Sequence, residues 1–225
     1  MSSVAEARPV TLVESVPAAD PAPLGLAAFA LTTFILSGHN ATFIPDLVWI
    51  GLALFYGGLV QLLAGMWEFR NRNVFGATAF STYGGFWMSL GIFVLLVVSV
   101  KSFGGAFQSA DVPNAVAWFL LAFAIFNTYM LLWSTRVNGA VFAVFLTLEA
   151  TEILLVIGNF MEAHGHANSS WVHIGGWVGI LTAACAWYAS AAGVINGMSN
   201  GRTILPVGRP IWAATASPMP RAAQA

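Results

Sequence analysis

The sequence predicts an all-helical membrane protein that crosses the bilayer six times and has both termini in the cytoplasm. Of its 225 residues, 58% are hydrophobic and 8% are charged, whereas an ordinary soluble domain contains about 25% charged residues. The formal net charge of −1 also argues against the basic surface that nucleic-acid binding requires. A soluble domain and a nucleic-acid-binding protein are therefore both disfavoured.

Six apolar runs define the predicted spanning helices, since a helix needs about 20 apolar residues to cross a bilayer. Charged and turn-forming residues separate the runs, as is typical of loops. We expect a six-helix transmembrane domain over residues 23–196, between cytoplasmic tails at residues 1–22 and 197–225. The six runs cover residues 24–38, 47–67, 77–100, 116–133, 137–160 and 171–195.

The basic residues predict the orientation, because cytoplasmic loops are enriched in Lys and Arg. With both termini in the cytoplasm, Lys101 is the only Lys or Arg residue expected on the outer side of the membrane. The basic residues then expected on the cytoplasmic side are Arg8, Arg70, Arg72, Arg136, Arg202, Arg209 and Arg221. The opposite topology would reverse this asymmetry.

The first run is short and follows directly after Pro21 and Pro23, which the first turn of a helix tolerates but a helix interior does not. Fifteen residues at 1.5 Å each reach about 22 Å, less than the thickness of the hydrocarbon layer. Such a helix could start below the membrane surface and offer free amides to a carboxylate. Alternatively, the prolines only mark a helix start, where Asp20 can serve as a cap.

The chain resembles the acetate uptake transporters, in particular the bacterial succinate–acetate permease type. The similarity starts with Pro21 to Leu26 and Phe29, where Asp20 replaces the asparagine usual in the family. It extends over about residues 20–208. The other matching positions are Thr32, Thr33, His39, Asn40, Phe55 to Gly58, Gln61, Ala64, Gly65, Glu68, Asn73, Phe75, Gly76, Thr78 to Phe80, Tyr83, Gly84, Phe86, Trp87, Pro113, Asn114, Ile157 to Asn159, Gly176 to Gly179, Gly201 to Thr203, Leu205 and Pro206.

This resemblance implies a six-helix protomer, assembly into a homohexamer and a separate substrate path through each protomer. It implies transport of acetate and related short carboxylates, with succinate, lactate and propionate as further candidates. A narrow apolar constriction is expected at Phe29, Tyr83 and Leu148. A polar substrate-binding shell is expected from Asp20, Thr32, Asn40, Tyr56, Gln61, Thr78 and Asn159.

Two carboxyl groups, Glu149 and Glu152, fall inside the fifth predicted span. Their spacing of three residues places them on one helical face, beside Leu148. Carboxyl groups within a membrane are costly and are therefore candidates for function. A proton carried with an anion removes the cost of moving its charge against the membrane potential, so we expect these residues to couple protons to transport. The alternative is a structural role, as neutral hydrogen-bonded groups or at a subunit interface.

A histidine-rich stretch follows the fifth span. His164, His166 and His173, together with Glu162, are residue types that can bind zinc. Their spacing is not diagnostic, and solvated histidines that respond weakly to pH are the preferred interpretation. We therefore expect no metal and no cofactor. Cys185 is the only cysteine, which leaves no internal disulfide.

The predicted function is uptake of acetate and related carboxylates across the plasma membrane, coupled to protons and carried out by a homo-oligomer. A channel-like permease for small anions or ammonia would share the same spans. A membrane sensor that binds its ligand without transport is a further alternative. The chain contains no Gly-rich nucleotide-binding loop, which argues against ATP-driven pumping, and no enzymatic activity is expected.

Overall fold

The computed structural model describes residues 18–107, 110–166, 169–200 and 202–212. Six helices in this part of the chain are long and apolar enough to cross a membrane. Most of the two expected tails, with Arg8 and Arg221, lies outside the described residues. The helices are α1 (Ala22–Asn40), α2 (Val48–Arg70), α3 (Val74–Ser99), α4 (Asp111–Ser134), α5 (Gly139–Ala163) and α6 (Ser170–Met198). The prediction of an all-helical protein with six spanning helices is confirmed.

Polar residues of the loops determine where three of these helices begin. The side chain of Asn73 accepts a hydrogen bond from the backbone N–H of Gly76 at the start of α3. Asn138 caps α5 in the same way, and Ser169 caps α6. Each cap satisfies an N–H group that the first turn of a helix leaves unpaired. The polar breaks in the hydropathy pattern are thus the residues that start the helices.

The first helix is longer than the sequence predicts. It runs from Ala22 to Asn40 and contains 19 residues, which correspond to about 28 Å at 1.5 Å per residue. The helix therefore extends beyond the predicted span of residues 24–38 by about two residues at each end. Hydropathy underestimated the length because the polar residues His39 and Asn40 continue the helix.

The second helix contains a π-helical segment, Phe55–Val60, between two α-helical parts. A Cβ atom on Gly58 would collide with the carbonyl oxygen of Ala53, five residues earlier. Glycine is therefore required by this wider turn, a type of turn that is rare and often lies at functional sites. The helix then continues to Arg70, so that Glu68 lies within α2 and is only 1% exposed. The hydropathy pattern had placed Glu68 in a loop.

The helices pack in two groups that share α1. Helix α1 packs against α6, α6 against α5 and α5 against α4, while α2 packs chiefly against α3 and α1. Small residues allow the close approach of α6 to α1, since a Cβ atom on Gly176 would collide with the backbone of Ser37 and Ala41. This arrangement leaves a space between the helices, which contains the candidate site.

The chain after α6 folds back onto the helix ends. Asn196 accepts a hydrogen bond from the backbone N–H of Ile204 at 2.7 Å, and the hydroxyl of Tyr188 donates to the carbonyl of Pro206 at 2.6 Å. We call residues 202–212 the C-terminal strap. The strap holds the carboxyl end of the described chain against the bundle.

Candidate functional site

A cavity of about 450 Å³ lies between the helices, and all six contribute to its lining. One end reaches residues near the carboxyl ends of α1, α3 and α5, such as Asn40, Val94 and Glu162. The amino ends of α4 and α6 contribute Val116 and His173 at the same end. We call this end the mouth. The other end lies near the middle of the spanning helices.

The inner end of the cavity is lined by Phe29, Tyr83 and Leu148, the three residues expected to form an apolar constriction. All three side chains are buried. The rings of Phe29 and Tyr83 meet edge to face, with their centroids 5.8 Å apart. The structure therefore brings these three residues, from three different helices, to one place.

A hydrogen-bond network joins Tyr83 to the fourth and fifth helices. The Tyr83 hydroxyl donates to Oδ1 of Asn127 at 2.8 Å, and Nδ2 of Asn127 donates to Oε2 of Glu149 at 2.7 Å. The hydroxyl of Thr128 lies 2.7 Å from Oε1 of Glu149. Both carboxyl oxygens of Glu149 thus accept hydrogen bonds from α4.

The second candidate carboxyl group, Glu152, lines the cavity and is 3% exposed. Its Oε1 atom lies 3.4 Å from the Tyr83 hydroxyl, whereas Oε2 has no hydrogen-bond partner. A tyrosine hydroxyl has one proton to donate, and the shorter contact is the one to Asn127. Glu152 is therefore the less completely paired of the two carboxyl groups.

The predicted polar shell is divided by the structure. Asn40 and Asn159 line the cavity. Thr32 donates to the carbonyl of Ala28, and Gln61 is buried without contributing to the lining. Asp20 accepts a hydrogen bond from the N–H of Ala22 at the start of α1. The other five residues predicted for the polar shell are not among the described residues that line the cavity. They are Asp20, Thr32, Tyr56, Gln61 and Thr78.

The charged groups of the cavity are mostly acidic. Carboxyl groups from Asp46, Glu152 and Glu162 line it, together with His39 and His173. The ring of His39 lies 3.4 Å from the carboxylate of Asp46. Neither Lys nor Arg occurs among the described residues that line the cavity. An anion that enters meets no permanently charged basic side chain.

The histidine-rich stretch is dispersed in the structure. His164 lies at the end of α5, where its Nδ1 atom is 2.7 Å from the carbonyl oxygen of Phe160. Glu162 accepts a hydrogen bond from the backbone N–H of Ser169. The described residues contain no group of three or more His, Cys, Asp or Glu side chains arranged to hold a metal ion.

Sequence reasoning missed the partners of these groups in α4. Asn127 is completely buried and bonds to Tyr83, to Glu149 and to the carbonyl of Phe145. A detectable signal existed, because an Asn in the centre of an apolar span is itself unusual. Its partner could not be identified, since Tyr83 lies 44 residues earlier in the chain.

The chain is similar in sequence to proteins that are named as carboxylate transporters. Acetate permease A of Emericella nidulans is 41% identical over 213 residues, which cover 90% of this chain and 70% of the relative. The succinate-acetate/proton symporter SatP of Escherichia coli K12 is 34% identical over 193 residues, which cover 84% of this chain and 95% of the relative.

A solved structure and a family profile agree with these relatives. The structure of the bacterial acetate channel SatP superimposes with a TM-score of 0.75 at 33% sequence identity, and covers 85% of this chain and 99% of that one. Residues 5–207 match the profile of the GPR1/FUN34/yaaH family. The chain is therefore a multi-pass membrane protein that belongs to the GPR1/FUN34/yaaH family.

Proposed function

We propose that this protein carries acetate and related short-chain carboxylates, including propionate, lactate and succinate, across the plasma membrane. The names of the relatives, an acetate permease and a succinate-acetate/proton symporter, support this substrate class. The cavity supports it as well, because a path lined by all six helices ends at Phe29, Tyr83 and Leu148 in the middle of the spans. These three residues form the proposed constriction.

The observation that carries the proposal of proton coupling is the charge pattern of the cavity. Its described lining contains three carboxyl groups and neither Lys nor Arg. A carboxylic acid with a pKa near 4.3 is almost completely ionised at neutral pH, and an anion at an apolar constriction is strongly disfavoured. With neither Lys nor Arg in the described lining to neutralise it, the substrate is proposed to take up a proton in order to pass.

Glu152 is the proposed proton donor, with Glu149 as its partner in the same network. Transfer of one proton from the Glu152 carboxyl group to the substrate carboxylate leaves a neutral acid and a Glu152 carboxylate. A proton entering from the mouth then restores Glu152. The Tyr83 hydroxyl, which lies 3.4 Å from Oε1 of Glu152, is placed to donate to the carboxylate that the transfer leaves.

The orientation and assembly belong to the same proposal. The excess of Arg at the ends of the spans favours both termini in the cytoplasm, which places the cavity mouth outside the cell. Residues 23–196 would form the transport domain between two cytoplasmic tails. The resemblance to the succinate–acetate permeases supports a homohexamer in which each protomer has its own path.

The test is uptake of labelled acetate into proteoliposomes under imposed pH and voltage gradients. We expect an inward proton gradient to drive accumulation of acetate above its external concentration. Propionate, lactate and succinate compete to different degrees. The Trp118→Phe variant, which alters an exposed indole on α4 away from the cavity lining, should behave as the wild type. No acetate uptake under any gradient would reject the proposal.

The same assay separates the alternatives. A channel-like permease lets acetate equilibrate in response to voltage. In vesicles whose membrane potential is clamped, a pH gradient alone does not make such a channel accumulate acetate, once passive entry into protein-free vesicles is subtracted. A permease for ammonia alkalinises vesicles when ammonium is added and does not move acetate. A sensor binds acetate in detergent solution and shows no uptake.

A further inference from the structure

Three side chains lie one helical turn from the constriction, each on the same helix as one constriction residue. Thr33 follows Phe29 by four residues, Trp87 follows Tyr83 by four, and Glu152 follows Leu148 by four. Positions i and i+4 share a helical face and differ by about 6 Å along the axis. The cavity lining includes all six residues.

The displacement has the same direction in all three helices. The carboxyl ends of α1, α3 and α5 lie toward the mouth of the cavity, where Asn40, Val94 and Glu162 line it. Residues four positions later therefore lie on the mouth side of the constriction. We call Thr33, Trp87 and Glu152 the polar layer.

Each member of the polar layer has a buried polar atom without a hydrogen-bond partner. The atoms are Oγ1 of Thr33, Nε1 of Trp87 and Oε2 of Glu152. The side chains are 5%, 3% and 3% exposed, respectively. Buried polar groups are nearly always paired, because an unpaired donor keeps its full desolvation cost. Three unpaired groups at one level of one cavity point to a ligand that pairs them.

The chemistry of the three groups identifies the ligand class. An indole N–H group can only donate, and a threonine hydroxyl can donate one hydrogen bond, whereas a carboxylate accepts several. A carboxylate held by Thr33 and Trp87 would lie beside Glu152, the proposed proton donor. Its short apolar chain could extend toward the rings of Phe29 and Tyr83.

We infer that the polar layer is the site where the carboxylate of a short-chain acid binds immediately before the constriction. This inference rests on the proposed transport function and adds Thr33 and Trp87 as binding residues. The titratable and charged groups around Glu152 are Tyr83 on α3 and Glu149 on its own helix, with His39, Asp46, Glu162 and His173 elsewhere in the cavity.

The experiment combines a binding signal with transport. Protein labelled with ¹⁵N at the indole nitrogens of its nine Trp residues is titrated with sodium acetate, and with sodium chloride as a reference. The Trp87 resonance is identified by its loss in Trp87→Phe, which keeps an aromatic ring but removes the donor. The KM for acetate uptake is measured in proteoliposomes for the wild type and for the variants.

We expect the Trp87 resonance to shift with acetate and not with chloride. Trp87→Phe should raise the KM for acetate about tenfold, since a hydrogen bond to a charged group is lost. Thr33→Val should raise the KM for acetate about fivefold, whereas Thr33→Ser, which keeps the hydroxyl, should retain the wild-type KM. The two Thr33 variants test the inference even if Trp87→Phe folds poorly. Trp118→Phe, the surface control, should leave the KM and the Trp87 resonance unchanged.

Two outcomes overturn the inference. One is a Trp87 resonance whose chemical shift does not change at saturating acetate, in a protein that transports acetate. The other is an unchanged KM in both Trp87→Phe and Thr33→Val. A wild-type protein that binds acetate at Trp87 without transporting it would reject the proposed function and leave the polar layer supported.

Discussion

The hydroxyl of Tyr83 donates a 2.8 Å hydrogen bond to Oδ1 of Asn127, and this bond ties the proposed constriction to α4. The same asparagine donates to Oε2 of Glu149 and to the carbonyl of Phe145, both on α5. One buried amide therefore sets the position of an aromatic ring on α3 and of a carboxyl group on α5. Changes at Asn127 should affect stability and transport together.

Replacement of Asn127 by Leu should destabilise the protein, because it leaves the Tyr83 hydroxyl and Oε2 of Glu149 without this partner. The expected loss is about 1–3 kcal/mol for each buried group left unpaired. Thermal unfolding in detergent, followed by tryptophan fluorescence, measures it. Thr128→Val removes only one contact to Glu149 and should have a smaller effect. Equal stability of Asn127→Leu and the wild type would contradict the network.

The pH dependence of uptake should depend on Glu152. If the proposed proton coupling holds, uptake by the wild type increases as the external pH is lowered at constant internal pH. Glu152→Gln cannot carry a proton and should flatten this dependence. Glu149→Gln should have a weaker effect, since Glu149 does not line the cavity in the described structure. Initial rates of acetate uptake measured between about pH 5 and 8 test this prediction. Unaltered pH profiles in both variants would refute it.

Substrate size should be limited by Leu148. Leu148→Ala removes three carbon atoms from the inner end of the cavity, and we expect the rate for lactate relative to that for acetate to increase several-fold. Tyr83→Phe retains the ring that meets Phe29 and should keep the wild-type ratio of the two rates, although it loses the bond to Asn127. Parallel uptake of labelled acetate and lactate gives the ratio. The same ratio in Leu148→Ala and the wild type would argue against a constriction at this position.

The π-helical segment should not tolerate a side chain at Gly58. Gly58→Ala would press a methyl group onto the carbonyl of Ala53 and onto Met88, and overpacking of this kind costs about 1–3 kcal/mol. Gly51 provides a matched control on the same helix, because a Cβ atom there would lie more than 4 Å from every described atom outside its own stretch of helix. Gly51→Ala should be neutral or slightly stabilising. The unfolding temperature should therefore fall clearly in Gly58→Ala, whereas it should stay the same or rise slightly in Gly51→Ala. Thermal unfolding of the two variants measures both changes.

The C-terminal strap should loosen when Asn196 is replaced by Ala. Its side chain accepts hydrogen bonds from the N–H groups of Ile204 and Leu205, so these amides should exchange with deuterium more rapidly in the variant. Hydrogen exchange with mass spectrometry on a peptide covering residues 203–209 measures the effect. A peptide from the centre of α3 should keep its wild-type rate. Unchanged exchange of the strap peptide would show that Asn196 does not hold it.

Much of the architecture could be predicted because the signals are local. A membrane-spanning helix pairs its own backbone groups and requires about 20 apolar residues, and both properties can be read along the chain. Errors occurred where hydropathy and helix formation diverge. His39 and Asn40 extend α1, and Glu68 is buried inside α2, although polar residues of this kind usually mark a loop.

The residues of the candidate site were only partly predictable. Phe29, Tyr83 and Leu148 were expected from resemblance to a family, and the structure brings them to one end of one cavity. Thr32, Gln61 and Thr78 were expected for the same reason, but they do not line that cavity in the described structure. Resemblance identifies matching positions, but it does not show which side of its helix a residue occupies.

The sequence by itself determined that this chain forms six membrane-spanning helices. The reason is that a segment can enter the bilayer as a helix when its own side chains are apolar and its own backbone groups pair with one another. Only the tertiary structure decided which polar groups meet. The pairing of Tyr83 with Asn127, and the common level of Thr33, Trp87 and Glu152, depend on how each helix is rotated and shifted against its neighbours. Side-chain packing between helices sets that rotation, and it is not a property of any single segment.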